Sequence, residues 1–151
     1  MAEKPAWVKP DFIDVHLAQY RTDPDKAHYM DLSAMGIREP VPALLLTTIG
    51  RKSGQPKVTP LNYQAVDGAY VVIASKGGYV DHPLWYKNLD ANPDVEVQAG
   101  TRRVKARART AKGEERARLW EVMRRAYPPY DDYQAAAGER EIPVVVLEPT
   151  G

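Results

Sequence analysis

The chain predicts an α+β fold, a small antiparallel barrel of about six strands with helices packed outside, and three observations carry that prediction. Between Val41 and Gly78, three runs rich in Leu, Ile, Val, Thr and Tyr are cut by two turn signals, RKSGQPK and Asp67-Gly68, the pattern of consecutive antiparallel strands. Two further runs, DVEVQAG and TRRVKARART, meet tightly at Gly100-Thr101. Strands and helices do not alternate regularly, which disfavours a parallel doubly wound sheet.

Taken in order, residues 1–10 carry two prolines and two lysines and read as a loose arm. The run FIDVHLAQYRTD sets Phe12, Val15, Leu17 and Tyr20 near one side of a helix with Asp11 as its N-cap. A second short helix is expected over Asp25–Leu32, ending near Gly36. The amphipathic face of this region is expected to pack on its own domain; Trp7, Phe12 and nearby lysines leave a transient membrane-surface contact open. Asp81 or His82 caps a helix with Pro83 in its first turn, carrying Leu84, Trp85, Asn88 and Leu89 and stopped by Pro93. Arg103, Lys105, Arg107 and Arg109 alternate with Val104, Ala106 and Ala108, a charge row read as a solvated or edge-protecting face. From Lys112 a helix places Leu119, Trp120, Met123 and Tyr127 on one stripe and ends at Pro128-Pro129. After a short segment, YDDYQAAAG, the run EIPVVVLEP is a last apolar strand with Pro143 at its start. Residues 1–40 are expected as an arm and helix region and 41–151 as the barrel, one structural domain overall.

The 151 residues suffice for one domain with a substantial core. A net charge of +1 argues against a generic nucleic-acid binder, so any preference for anions is local. Absence of cysteine excludes disulfides, thiolate metal sites and thiol catalysis. His16, His28 and His82 have no metal-ligand spacing, and no metal is expected. The amino terminus lacks the apolar run of a signal peptide and no stretch is long enough to span a bilayer, so a cytoplasmic protein is expected. No G-x-S-x-G, P-loop or G-x-G-x-x-G occurs, which leaves acyl transfer and nucleotide hydrolysis without a motif.

The local charge is at the first turn. Counting outward from Asp67-Gly68, with Val66 opposite Ala69, Thr59 is expected opposite Lys76, and Lys57 is its diagonal neighbour, roughly 7–8 Å away. Arg51 and Lys52 lie in the loop feeding that end, beside Gly77-Gly78. Four cations among turn residues repel one another unless solvated or paired with an anion. The aromatics are the second signal: one Phe, nine Tyr and three Trp, with Tyr127, Tyr130 and Tyr133 recurring across a Pro-Pro break that no single helical stripe spans. Tyrosines packed with wet hydroxyls and tyrosines lining a pocket remain equally open on this pattern alone.

The blocks LLLTTIGRKSGQPKVTPL, VVIASKGG, HPLWYKNLDANPDVEVQ, YPPYDDYQ and EIPVVVLEP, in that order over residues 41–148, resemble the deazaflavin-dependent nitroreductase family. The resemblance implies a split β-barrel related to flavin-binding oxidoreductases and the coenzyme F-420 (8-hydroxy-5-deazaflavin), with its phosphodiester and oligoglutamate tail. It implies that Arg51, Lys52, Ser53, Gly54 and Lys57 hold phosphate and tail. Thr59 and Pro60 line the groove, Ala74, Ser75, Lys76, Gly77 and Gly78 lie along ring and phosphate, and Trp85 and Asn88 stand beside the coenzyme. It implies hydride transfer to quinones, enones or nitroaromatics, with Tyr127, Tyr130 and Tyr133 as the acceptor-side wall. Ser75 or a tyrosine hydroxyl is the partner of the acceptor oxygen. Asn62 stands where some nitro-reducing members have tyrosine, which favours quinones or enones. Rival readings are a carrier that binds deazaflavin without turnover, an FMN-binding split barrel, and a nucleic-acid-binding barrel using the Arg103–Arg109 row. Monomer and homodimer are both open.

Overall fold

A computed structural model of the chain describes residues 12–33, 37, 39–76 and 82–150. Its elements are helices α1 (Phe12–Thr22), α2 (Pro24–Ala27), α3 (Leu84–Ala91), α4 (Gly113–Ala126) and α5 (Pro129–Ala137). The strands are β1 (Tyr29–Met30), β2 (Val41–Ile49), β3 (Pro56–Asn62), β4 (Gln64–Val66), β5 (Ala69–Ile73), β6 (Asp94–Ala99), β7 (Arg102–Thr110) and β8 (Val144–Pro149). All the pairings are antiparallel, in the order β1-β2-β6-β7-β8-β5-β4 with β3 on β2. The path from β3 round to β4 ends on two strands that are consecutive in the chain. The sheet therefore curls until its ends meet at Tyr63, an antiparallel split barrel of the α+β class. The six expected strands are present, the second divided at Tyr63, and β1 is added.

Alternation of side chains across the pleat builds two cores. Leu44, Leu46, Val72, Ala74, Val97, Val145 and Leu147 point inward with Trp85 and Leu89 of α3. Val71, Ile73, Val144 and Val146 point outward beneath Leu119 and Met123 of α4 and Tyr130 of α5. Each large aliphatic side chain so enclosed contributes about 1.5–3 kcal/mol. Tyr20 of α1 packs on Leu45, and its hydroxyl donates to the Ala43 carbonyl (2.7 Å) and accepts from the Gly100 amide (2.7 Å). The described part of α1 thus packs on its own sheet; Trp7 and the Asp11 cap lie outside the described residues, as do the side chains of Phe12 and Val15.

Four expectations are corrected. The helix over Asp25–Leu32 is the four-residue α2, because Tyr29 and Met30 pair with Pro42 and Val41 instead. Pro83 is the N-cap of α3 rather than a first-turn residue, with no side-chain cap. The segment after Pro128 is helical, started by Pro129 at its first position. β7 lies between β6 and β8, so its charge row protects no edge and is the solvated face of the two readings; Arg107 faces Asp94, and Arg109 is bound by Glu115 and Glu148.

The Asp67-Gly68 hairpin forms as expected, both residues at positive φ and Val66 opposite Ala69. Its ladder stops at Gln64 opposite Val71, however, and Thr59 does not pair with Lys76. The cause is proline. The Tyr63 amide donates to Pro42 of β2, so the neighbouring odd-numbered amides of β3 face β2, and positions 56 and 60 face away. Both are prolines without an N–H, so that edge cannot continue the ladder to β5. The barrel splits there.

Candidate functional site

The turn joining β2 to β3 is built from backbone bonds. The Gly50 amide donates to the Gln55 carbonyl (2.8 Å), the Gly54 amide to the Gly50 carbonyl (2.8 Å), and Ser53 Oγ accepts from the Gln55 amide (3.2 Å). A Cβ on Gly50 would come 2.5 Å from Ser53 Oγ, so the turn in this form, with Ser53 bonded to the Gln55 amide, closes over glycine. Asn88 of α3, buried, accepts from the Arg51 amide through Oδ1 (3.2 Å) and donates to Thr48 Oγ1 through Nδ2 (3.3 Å). One side chain thus ties the basic turn to α3 and β2.

Between turn, β3 and α3 lies an open groove of about 570 Å³, lined by Gly50, Arg51, Lys52, Ser53, Lys57, Val58, Thr59, Leu84, Trp85 and Asn88. That volume falls within the range of small-molecule sites. No carboxylate lines it, and among the described residues Arg51, Lys52 and Lys57 form no ion pair. Leu84 and Val58 are exposed apolar lips. A second depression, about 270 Å³, holds Arg109 and Arg118, but Glu115, Glu148 and Asp67 already neutralise them. Hydrogen bonds donated to Glu115 and Glu148 push the Arg109 guanidinium still further toward its charged form. Only the first of these two depressions offers uncompensated positive charge.

Seven of the expected site residues meet in this groove: Arg51, Lys52, Ser53, Lys57, Thr59, Trp85 and Asn88. Gly54 closes the turn at φ +71° and Pro60 follows along β3. Ala74 is buried in the same core as Trp85, with half-buried Ser75 and exposed Lys76 after it. Gly77 and Gly78 lie outside the described residues. The three tyrosines pack elsewhere, in the outer core against Ile37, Val41 and Ile73. Tyr127 and Tyr133 share a hydrogen bond of 2.9 Å, and the buried Tyr130 hydroxyl is bonded by Asn62, the last residue of β3. Burial pushes Tyr127 and Tyr130 well above the ordinary phenol range, so both stay protonated at neutral pH. Lys57 and Asn62 are five residues apart on β3, about 16 Å along the strand. The basic turn and the tyrosines therefore stand toward opposite ends of one open-edged strand.

Gly50, Val58 and Leu84 line the groove and were not singled out as site residues from the sequence. Gly50 had a signal, its four-residue spacing from Gly54; the exposed apolar lips Val58 and Leu84 had none.

An antiparallel barrel split along a proline-blocked edge, with an acid-free cationic groove beside the split, defines the class by fold and charge: a split barrel with a groove suited to an anion. The family model for F-420H(2)-dependent quinone reductase matches residues 20–149, and the chain belongs to that family. An F-420H(2)-dependent quinone reductase of Mycobacterium tuberculosis is 43% identical over 109 residues, covering 70% of this chain and 72% of that one. The solved structure of an F-420-H2 dependent reductase, FDR-A, is 44% identical with a TM-score of 0.65, covering 70% of this chain and 93% of that one. A solved chain described as a domain-swapped dimer is also 44% identical, with a TM-score of 0.66 over 70% of this chain and 79% of that one. The protein is an F-420-dependent reductase, an oxidoreductase acting on a small-molecule acceptor.

Proposed function

We propose that the groove at the basic turn holds the phosphate and oligoglutamate tail of coenzyme F-420, and that the tyrosines beyond the far end of β3 face a quinone acceptor. The observation that carries this is the acid-free groove with three uncompensated cations. The residues fit the group: Arg51, Lys52 and Lys57 supply charge, and the glycine turn leaves its backbone open to an anion. The single phosphate of FMN carries about −2 and would leave part of this charge unmatched, whereas a phosphodiester with several glutamates matches all of it.

When bound, the reduced coenzyme supplies a hydride. The chain's own residues do the rest by orientation and charge. Arg51, Lys52 and Lys57 fix the tail; Asn88 fixes the turn that carries two of them. Ser75 and the tyrosine hydroxyls stand as donors to the acceptor oxygen. Reduction of a quinone to its hydroquinone takes the hydride and one proton, and the hydrogen-bonded Tyr127–Tyr133 pair, its Tyr127 hydroxyl kept protonated by burial, is the relay from solvent. Tyr130, held by Asn62, orients that wall. The domain-swapped relative supports a homodimer, which mass in solution tests.

Two titrations test the cofactor assignment: F-420 should bind more tightly than FMN, and the reverse order would contradict it. Turnover of menadione with reduced F-420 as sole donor separates a reductase from a carrier. Tyr133→Phe should lower kcat for menadione by about a hundredfold, the lower end of the usual span of general-acid contributions. Unchanged constants in Tyr130→Phe and Tyr133→Phe alike would remove their polar role.

A further inference from the structure

We infer that Arg140 is a positioning residue, which fixes the strand end bearing Ser75 against the helix bearing Tyr130 and Tyr133. This rests on the proposed reading that those hydroxyls face the acceptor. β5 ends where Ile73 pairs with Val144, and among the described residues the carbonyls of Ala74 and Ser75 beyond it have no ladder partner across the split. The Arg140 guanidinium supplies one. Its Nη1 donates to the Ala74 carbonyl (3.1 Å) and its Nη2 to the Ser75 carbonyl (2.7 Å), and Nη1 also lies 3.1 Å from His82 Nδ1.

The other end of the link is equally fixed. Gln134 of α5 donates through Nε2 to the Arg140 carbonyl (2.8 Å) and accepts from the Ile142 amide through Oε1 (2.9 Å). One residue therefore links three segments: its backbone carbonyl is held by α5 with its tyrosines, and its guanidinium holds the strand end with Ser75 and lies beside His82 at the entry to α3, which carries Trp85 and Asn88. A planar fork of donors can hold two carbonyls at once, where an ammonium acts as a point charge. The geometry sets the separation between Ser75 and the tyrosine helix through Arg140, and it keeps the strand end from drifting across the gap beside β3. Acceptor position, rather than tail binding, is what it governs.

The test compares Arg140→Met, which keeps the stem and loses every donor, with Arg140→Lys, which keeps the charge and loses the fork. Three quantities are read: amide exchange over Ala74–Lys76 in coenzyme-free protein, F-420 affinity by titration, and kcat and KM for menadione. Arg140→Met should speed exchange about fivefold or more and lower kcat/KM about tenfold, the scale of a lost charge-assisted hydrogen bond. F-420 affinity should change less than either, and Arg140→Lys should fall between. If Arg140→Met does not fold, Arg140→Lys decides on the same readouts. Native exchange and native kcat/KM in a folded variant would overturn the inference. Faster exchange with unchanged turnover would overturn it too, while leaving the cofactor groove standing. Loss of the groove assignment itself would show instead as wild-type F-420 affinity in Lys52→Gln/Lys57→Gln.

Discussion

Asn88 bears on stability, and on the proposed binding, because its amide is spent on two partners, the Arg51 amide and the buried Thr48 hydroxyl. Replacing it by Ala strands the buried Thr48 hydroxyl and frees the Arg51 amide. Asn88→Ala should cost about 1–3 kcal/mol in urea unfolding and weaken F-420 binding in the same sample. An unchanged midpoint would mean that the two bonds are replaced by water. Gly50 makes the complementary case. In Gly50→Ala the new methyl displaces Ser53 Oγ and with it the bond to the Gln55 amide. Ser can rotate away, so the stability cost should be only about 1 kcal/mol. The cost to F-420 affinity should be larger, since the turn opens, and a titration that shows no loss would free the turn from its assigned part.

Among the elements, the attachment of α2 and β1 to the seam has its own pH dependence. His28, at the end of α2, bonds the Tyr63 hydroxyl through Nε2, and burial holds its imidazole below the ordinary histidine range, outweighing the opposing pull of Asp25. The unfolded chain therefore binds the proton more readily, so this contribution is complete above the unfolded pKa near 6.5 and shrinks as pH falls below it. Thermal melts from pH 7.5 to 5.5 should show Tm falling on the acid side, with a shallower fall in His28→Gln; equal slopes would place the sensitivity elsewhere. Elements were legible where local chemistry decides them. The Asp67-Gly68 hairpin, the β6–β7 turn at Gly100-Thr101 and the α4 stripe of Leu119 and Met123 all follow from residue type and period. The break at Tyr63 was not, because the run from Pro56 to Val66 has strand composition throughout. Only which edge the two prolines face, a matter of register with β2, reveals where pairing must stop. The α5 helix was missed for a related reason, since Pro-Pro reads as a terminator until Pro129 is seen to start the next helix.

For the whole molecule, the groove and the tyrosine cluster are separate consequences of one closure. The sheet curls round until β3 and β4 meet at Tyr63, and the proline edge leaves a split flanked by charge at one end and phenols at the other. The charged end could be read from the sequence, since the cations crowd within one turn and its flanks. Its distance from the tyrosines could not, because that depends on the outer core beneath α4 and α5. The account is tested most directly by titrating F-420 into Lys52→Gln/Lys57→Gln at two salt concentrations. Removing two of three uncompensated cations should weaken binding at least about tenfold at low salt and flatten its salt dependence, as expected when charge pairing supplies the affinity. Wild-type affinity with an unchanged salt slope, in a variant that melts normally, would contradict it.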